Sequence, residues 1–584
     1  MRKLFVAAAV WAALSGLSAS AHALPGVFAG KSDAKRVNRA THVVLLKRDP
    51  VTVVTVVPDY EGPLDPFAFV IPVPADVTLD RVKTVKREVL GRLEELTAPR
   101  FNEFYEQDPC DPAPAEQEWQ RDLTVKDSGF LGGNQALGPK KVAPELLLDL
   151  TPVFKEGETE YRYTLLDEAD SQDPSAALAK RGYKLAAAAV EALKRAAAEG
   201  QRLLVVDIDP NRLELGKQER VQLAGVRFWT SQPLTKLRAT LGLEHVADKQ
   251  DLFVYVLHPT ERWAPRNYDV VFPPTNVELD DAIQIKNKER IVKERVGEIY
   301  NAITDRLLAR NPKSFLFEYA WSTEGCGEPC PNEPLLPREL LTLGGDVIER
   351  EVVPEAERSP EPPPLTDEQT KAIEEQLKAA PAKERAALKK KWEADRVELA
   401  RRQALLKRER YTLSRFHHRY DKTTLPHDVE LGPASNHVRG GVDVPQGKDA
   451  KLPLDVKPAD QSRFQVRFNH NYAWDGMMKC EKPERWRWGK RWRHKRVWNK
   501  TWVAEDLTAK RRDEMPLDAV VWTPLPALGI KGKVEEPAKT DAGAEPAKKS
   551  SCDCGVTGAP SDTRAGALAG LLALAMLGVR RRRN

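Results

Sequence analysis

The chain is 584 residues long and carries 91 Lys and Arg against 86 Asp and Glu, a formal charge of +5. Setting aside the +2 of residues 1–23 and the +4 of residues 555–584 leaves a body at −1, which argues on charge against a bulk nucleic-acid role. At 41% hydrophobic and 30% charged residues it is no disordered polymer, and the length suits about two to four domains.

The N-terminus reads as a secretory signal. Arg2 and Lys3 form a positive n-region and Leu4 to Leu17 an apolar h-region. Ala21-His22-Ala23 then supplies small side chains at −3 and −1, so cleavage is expected after Ala23 and the mature chain starts at Leu24. His42 to Lys47 and Val51 to Val57 are β-branched runs around an Arg48-Asp49-Pro50 turn, a predicted strand pair. Phe67 to Val73 is a third strand, with Pro72 and Pro74 marking its far end as an edge. Helices are predicted from Asp80 to Glu95 and over Pro99 to Glu106. Asp173-Pro174 opens an Ala-rich helix that stops at Gly200. Strands follow at Leu203 to Ile208, Val221 to Thr230 and Leu252 to Leu257. A long helix fits Asp280 to Arg310, with Val292, Val296, Ile299, Ile303 and Leu307 on one face, and Phe315 to Trp321 is an apolar strand after it.

Proline dominates Ser359 to Pro364, and Thr366 to Arg410 reads as a charged helical arm broken at Pro381. No apolar heptad runs through the arm, which favours a solvated hairpin over a coiled coil. Strand character returns at Tyr411 to Tyr420 and Arg463 to Phe468, and Lys531 to Ser551 is a flexible tether. Strands and helices mix without regular βαβ alternation, so the expected fold class is α+β, of undetermined topology, with the arm inserted.

The C-terminus carries an apolar run over 565–579, too short to span the hydrocarbon core comfortably, and then Arg580 to Arg583. Cys552 and Cys554 stand just upstream. The order of cysteine pair, small-residue spacer, weak span and Arg cluster resembles the myxobacterial-type C-terminal sorting signal MYXO-CTERM. The resemblance implies processing at Cys552 or Cys554 by a sorting protease, after signal peptidase has acted at the other end, and display at the cell surface.

Several stretches of the body also resemble one family. They are PGVF with KSD at 25–33, TVVTVVPDYEGP and PFAFVIPVP within 52–74, APRFNEFYEQDPC at 98–110, FEYAWSTEGCGEPC at 317–330, and RFNHNYAWDGMMKCEKP at 467–483. Together they are similar to the bacterial secreted family called domain of unknown function 2330. That resemblance implies an exported envelope protein and brings no catalytic residues, activity or cofactor with it.

Four cysteines remain outside the tail: Cys110, Cys326, Cys330 and Cys480. An even number in an oxidising compartment argues for disulfides, in any of three connectivities. A local 326–330 bridge that leaves Cys110 to Cys480 is one of them. Cys326 and Cys330 lack the second pair of a zinc ribbon and the CxxC of a redox motif. Asp207 and Asp209, after four apolar residues, resemble a haloacid-dehalogenase phosphotransferase loop. Asn211 stands where that loop wants Thr or Val, which favours a strand ending in an Asp-Pro-Asn turn. His417, His418, His427 and His437 cluster with Asp421 and Asp428 but show no metal-site spacing. Adjacent His417 and His418 on a strand point to opposite faces, so surface or packed histidines are expected. No metal ligand, cofactor or nucleic-acid partner is predicted.

Trp486, Trp488, Arg491, Trp492 and Arg493 belong to a segment where Trp and Arg alternate, with nine Lys or Arg, five Trp and only Glu484 acidic between Lys482 and Trp502. A half-buried hairpin accounts for the alternation, and the same chemistry suits an anionic envelope component. The predicted organisation is a signal peptide (1–23), an α+β body (24–358), a proline-rich linker and arm (359–410), a β-rich C-terminal part with the Trp/Arg segment (411–530), a tether (531–551) and a sorting tail with a short transmembrane segment (552–584). The expected role is an exported, membrane- or surface-anchored envelope protein with a structural or binding function. The rival reading is a secreted hydrolase whose active site has no recognisable motif.

Overall fold

The structure is a computed structural model that describes residues 21–23, 26–105, 108–110, 150–155, 159–215, 221–246, 248–271, 273, 275–279, 291–323, 334–358, 362, 364–365, 367–434, 464–472, 476–483, 502–505 and 515–516. The chain divides into two units, Met1–Val534 and Glu535–Asn584, and the described residues all belong to the first.

Among the described residues the body holds four sheets, and two of them form its core. Its principal strands are β1 (Val27–Gly30), β2 (Ala40–Arg48), β3 (Val51–Tyr60), β4 (Phe67–Val73), β5 (Lys83–Val85), β6 (Tyr161–Leu165), β7 (Arg202–Ile208), β8 (Gly225–Thr230), β9 (Gln250–His258), β10 (Asp269–Val271), β11 (Ser314–Ser322) and β12 (Thr412–Tyr420). Its longer helices are α1 (Arg87–Thr97), α2 (Ala187–Ala198), α3 (Ile291–Arg310), α4 (Asp367–Ala379) and α5 (Arg385–Arg408). The large mixed sheet runs β3-β2-β9-β12-β11-β10 through its middle, with β8 on β3 and β5 on β8. β2 pairs β9 in parallel, while β9 to β12 and β12 to β11 are antiparallel. The small sheet is β1-β4-β7-β6, antiparallel throughout. The fold is α+β.

Central strands read as continuous apolar runs because both of their faces are covered. Val43 and Leu45 of β2, with Leu252, Val254 and Val256 of β9, face Phe67, Phe69 and Ile71 of β4 and Leu204 and Val206 of β7 in an inter-sheet core. Val44, Leu46, Val53 and Leu257 face the other way, onto Val89, Leu93 and Leu96 of α1 and Leu343, Val347 and Ile348. The outer face of the small sheet (Val70, Leu203, Val205) packs on Leu178, Ala189 and Leu193 of the helices at 174–198. The layers therefore run helix, large sheet, small sheet, helix.

Some sequence expectations shift. Residues 80–95 were expected to be one helix, but Lys83–Val85 is a strand paired with β8, and helix begins only at Arg87. The expected helix at Pro99 to Glu106 is the strand Arg100–Tyr105, parallel to Arg467–Tyr472. The pairing partner lies hundreds of residues away, where local propensity cannot sense it. The Ala-rich helix is two helices, Pro174–Ala179 and Ala187–Ala198, interrupted at Gly182, whose φ of +79° few other residues adopt. Phe67–Val70 has a strand on each side, and only the Ile71–Val73 end, with Pro72, has β7 alone. The arm follows the sequence, with helices on either side of Pro381. β12 sits in the middle of the sheet that β2 begins, so segments from both ends of the body interleave.

A helix with no counterpart in the sequence reading covers the large sheet. Pro337–Leu340, Leu341–Gly345 and Asp346–Glu351 run on through a π-helical kink. Gly344 makes the kink possible, at φ +142° with Val53 so close that a Cβ would sit 2.8 Å from its side chain. Arg227 of β8, 2% exposed, anchors the kink. It donates to Thr342 O at 2.6 Å and to both Asp346 oxygens at 2.7 and 2.8 Å, with its guanidinium over Phe154. Arg227→Met leaves the Asp346 carboxylate without this partner and is expected to cost about 3 kcal/mol or more in unfolding free energy, measured by urea titration.

Candidate functional site

A dense set of ionisable side chains lies on the helix-covered face of the large sheet. It starts from strand alternation. In β12, Arg415, His417 and Arg419 share one face, and Phe416, His418 and Tyr420 the other. On β9, Asp251 stands opposite Arg419, Phe253 opposite His417 and Tyr255 opposite Arg415. On β2, His42 stands opposite Phe253. A register shift in β11 between Phe317 and Tyr319 brings Glu318 into the same group.

These residues form one connected cluster. Nδ1 of His417 is 2.9 Å from Glu318 Oε1, and its Nε2 is 2.9 Å from Asp251 Oδ1. Arg419 donates to Asp251 at 2.8 Å, and to Asp305 and Asn301 of α3 at 2.8 and 3.1 Å. Arg415 Nε lies 2.7 Å from Glu318 Oε2, as an ion pair rather than an aligned hydrogen bond. The ring of Phe253 is stacked between His417 at 4.2 Å and His42 at 4.8 Å. His42 Nε2 in turn lies 3.2 Å from Glu94 of α1.

Burial and charge set the protonation states. Burial opposes a charge on His417, but Glu318 and Asp251 on its two sides outweigh burial and raise its pKa. Burial likewise opposes charge on Asp251, yet His417 and Arg419 pull its carboxyl well below the usual range. His42 has the reverse balance. Burial, then Arg87 and Arg415, push its pKa well down, and burial raises that of Glu94. His417 is thus an imidazolium between two carboxylates, and His42 a neutral ring.

This geometry limits the chemistry open to the cluster. A general acid or base must reach its substrate within hydrogen-bond distance. Both nitrogens of His417 are occupied, and His417, Glu318 and Arg415 are buried. The cluster meets solvent through Asp251, Asp305 and Glu94. It ties β9, β11 and β12 to α3, which is the work of a brace.

Of the residues singled out from the sequence, His417 belongs to this cluster, and the others fall elsewhere or beyond the described residues. Cys110 and Cys480 are bonded to each other, Cα atoms 5.4 Å apart across 370 residues of sequence. Cys326, Cys330, Cys552, Cys554 and the Trp/Arg residues Trp486, Trp488, Arg491, Trp492 and Arg493 lie outside the described residues. Ala23 ends a short strand, Ala21–Ala23, parallel to Leu234–Leu237. Of the histidines, His417 and His418 are buried on opposite faces of β12, His427 is exposed, and His437 is outside the described residues. No three His, Cys, Asp or Glu side chains gather as a metal site among the described residues. Asp207 pairs with Arg181 at 3.3 Å, and Asp209 accepts from Asn211 N at 3.0 Å, so the Asp-x-Asp pair ends a strand and caps a turn. His42, Glu94, Asp251, Glu318, Arg415 and Arg419 escaped the sequence reading, which singled out His417 alone of this group.

Residues 19–432, more than two thirds of the chain, match the model of a family described as an uncharacterized protein conserved in bacteria. No curated protein and no solved structure matches the chain.

Proposed function

We propose, from the premise that the chain belongs to the bacterial family of domain of unknown function 2330, that it is an exported cell-envelope protein, held at the membrane or cell surface, with a structural or binding role. The observation that carries this reading is the Cys110–Cys480 bond. Disulfides persist in oxidising compartments and are rare where thiols are kept reduced. The bond closes residues 110–480 into one loop, which suits a protein that must stay folded without chaperones. The two ends of the sequence support the same address, a signal ahead of Leu24 and a sorting tail at 552–584. Among the described residues no helix is long and apolar enough to cross a membrane, and the anchor in this reading is the apolar run at 565–579. The structural role draws support from the ion pairs that occupy the cluster around His417 from within.

The test is surface labelling of intact cells with a membrane-impermeant amine reagent. Labelling of Lys389, Lys390 and Lys391 on the exposed arm is expected, as it is for a known surface protein. Labelling only after lysis would overturn surface display, and recovery of the protein with the cytosolic fraction would overturn the envelope reading.

A further inference from the structure

We infer that the carboxyl of Glu409 is a proton-held latch, which seats the base of the helical arm on the body and loosens it when the proton is lost. The inference goes beyond the envelope role and does not depend on it, because the latch is a property of the folded chain wherever that chain resides.

The geometry places the latch at a hinge. Of the 24 residues of α5 only Ala400 and Leu405 are buried, so most of the helix stands in solvent and its hold on the body lies at its C-terminal end. Glu409 caps that end, and Thr412 opens β12 just after it. Arg408 reaches across to the kinked helix, donating to Glu349 at 2.8 and 2.6 Å, and to Glu357 O at 2.7 Å. Glu409 itself is only 4% exposed. The Tyr411 hydroxyl donates to its Oε2 at 2.9 Å. Its carboxyl lies against Gly345 so closely that a Cβ there would collide with it.

Three features of this place oppose a charge on Glu409. It is buried, the negative pole of α5 points at it, and Glu349 presents a second carboxylate from the kinked helix. Arg48 of β2 and Arg408 of α5 also face it and favour the charge, but Arg408 is engaged by Glu349. Burial lifts the pKa of Glu409 from 4.5 to about 7, with the Tyr411 hydroxyl holding it down and Glu349 lifting it further. Once unseated, the carboxyl meets water and titrates near 4.5. Between these values the seated base holds a proton that the loosened base releases, so seating is strongest in acid and weakens as pH rises through 7. Ionised, Glu409 repels Glu349, the residue that Arg408 grips.

The experiment is amide hydrogen exchange of the purified full-length protein, read by mass spectrometry from pH 6 to pH 8 and corrected for the intrinsic exchange rate. Peptides over 400–411 are expected to open about tenfold more at pH 8 than at pH 6. Peptides of β2 and β9 should show no such rise. Glu409→Gln keeps the shape and the acceptor for Tyr411 but cannot ionise, and should leave the arm base equally protected at both pH values. Tyr411→Phe removes a donor that favours the carboxylate, and should move the midpoint of opening to higher pH. That upward shift carries the test if Glu409→Gln does not fold. A pH-independent arm base in the unaltered protein overturns the inference. The same rise in Glu409→Gln, or a rise shared equally by β2 and β9, does so as well, as does a Tyr411→Phe midpoint that stays put or falls.

Discussion

Glu318→Ala is expected to lower the unfolding free energy by about 3–5 kcal/mol, read from denaturant midpoints at pH 7. Glu318 is fully buried and is the common partner of His417 and Arg415. Its removal leaves two buried cations facing each other, which costs far more than the lost contacts alone. The contrast is Glu398→Ala on the arm. Glu398 also holds two guanidiniums, those of Arg401 and Arg402, at 3.0 and 2.8 Å, but in the open. Its loss is expected to change stability by less than about 1 kcal/mol. A drop of that small size for Glu318 would mean that the brace is not what locks β11 to β12.

Acid is expected to destabilise the body through its neutral histidines before the carboxylates titrate. Burial pushes His245 and His418 from 6.5 down to about 4. The unfolded chain takes up these protons near pH 6.5 and the folded chain only near pH 4, so the unfolded state binds more protons in between. Stability from each residue is present above pH 6.5 and lost as pH falls towards 4, by about 3 kcal/mol per residue. Glu409 acts in the opposite sense. Burial raises its pKa from 4.5 to about 7, so its contribution is present below 4.5 and lost as pH rises through 7, offsetting one histidine over this window. His417, with its raised pKa, changes stability only above pH 6.5. Asp251 acts only below the usual carboxylate range.

His245 isolates the effect. Its Nε2 accepts from the Phe28 N–H at 2.8 Å and its Nδ1 lies 3.1 Å from Arg36 O, so the ring is the Nδ1–H tautomer and has no place for a second proton. His245→Gln keeps an acceptor and a donor but cannot titrate. The loss of stability between pH 7 and pH 4 should shrink in that variant by about 3 kcal/mol, measured by urea titration at each pH. Parallel curves for the two proteins would show that His245 is not held neutral.

The sequence made the local elements legible and hid the distant ones. The β2–β3 pair could be read because its β-branched runs flank a two-residue Asp49-Pro50 turn, and the arm because Pro381 interrupts a run of helix formers. Arg100–Tyr105 was misread because its strand character comes from a partner at Arg467–Tyr472. The kinked helix was missed because Gly344 and Gly345 interrupt its pattern, and what holds it is Arg227, more than a hundred residues earlier. The brace was illegible for the same reason. Its members run from His42 to Arg419 and meet only through strand register and the Glu318 bulge.

The envelope account stands most directly on the state of the cysteines and the ends of the mature chain. Intact-mass measurement of the protein isolated from its native cells, alkylated before and after reduction, reads both at once. The account predicts a chain starting at Leu24, trimmed at Cys552 or Cys554, with Cys110 and Cys480 alkylated only after reduction. A chain that keeps residues 1–23 and 555–584 and takes up alkylating reagent at Cys110 and Cys480 without reduction would contradict it.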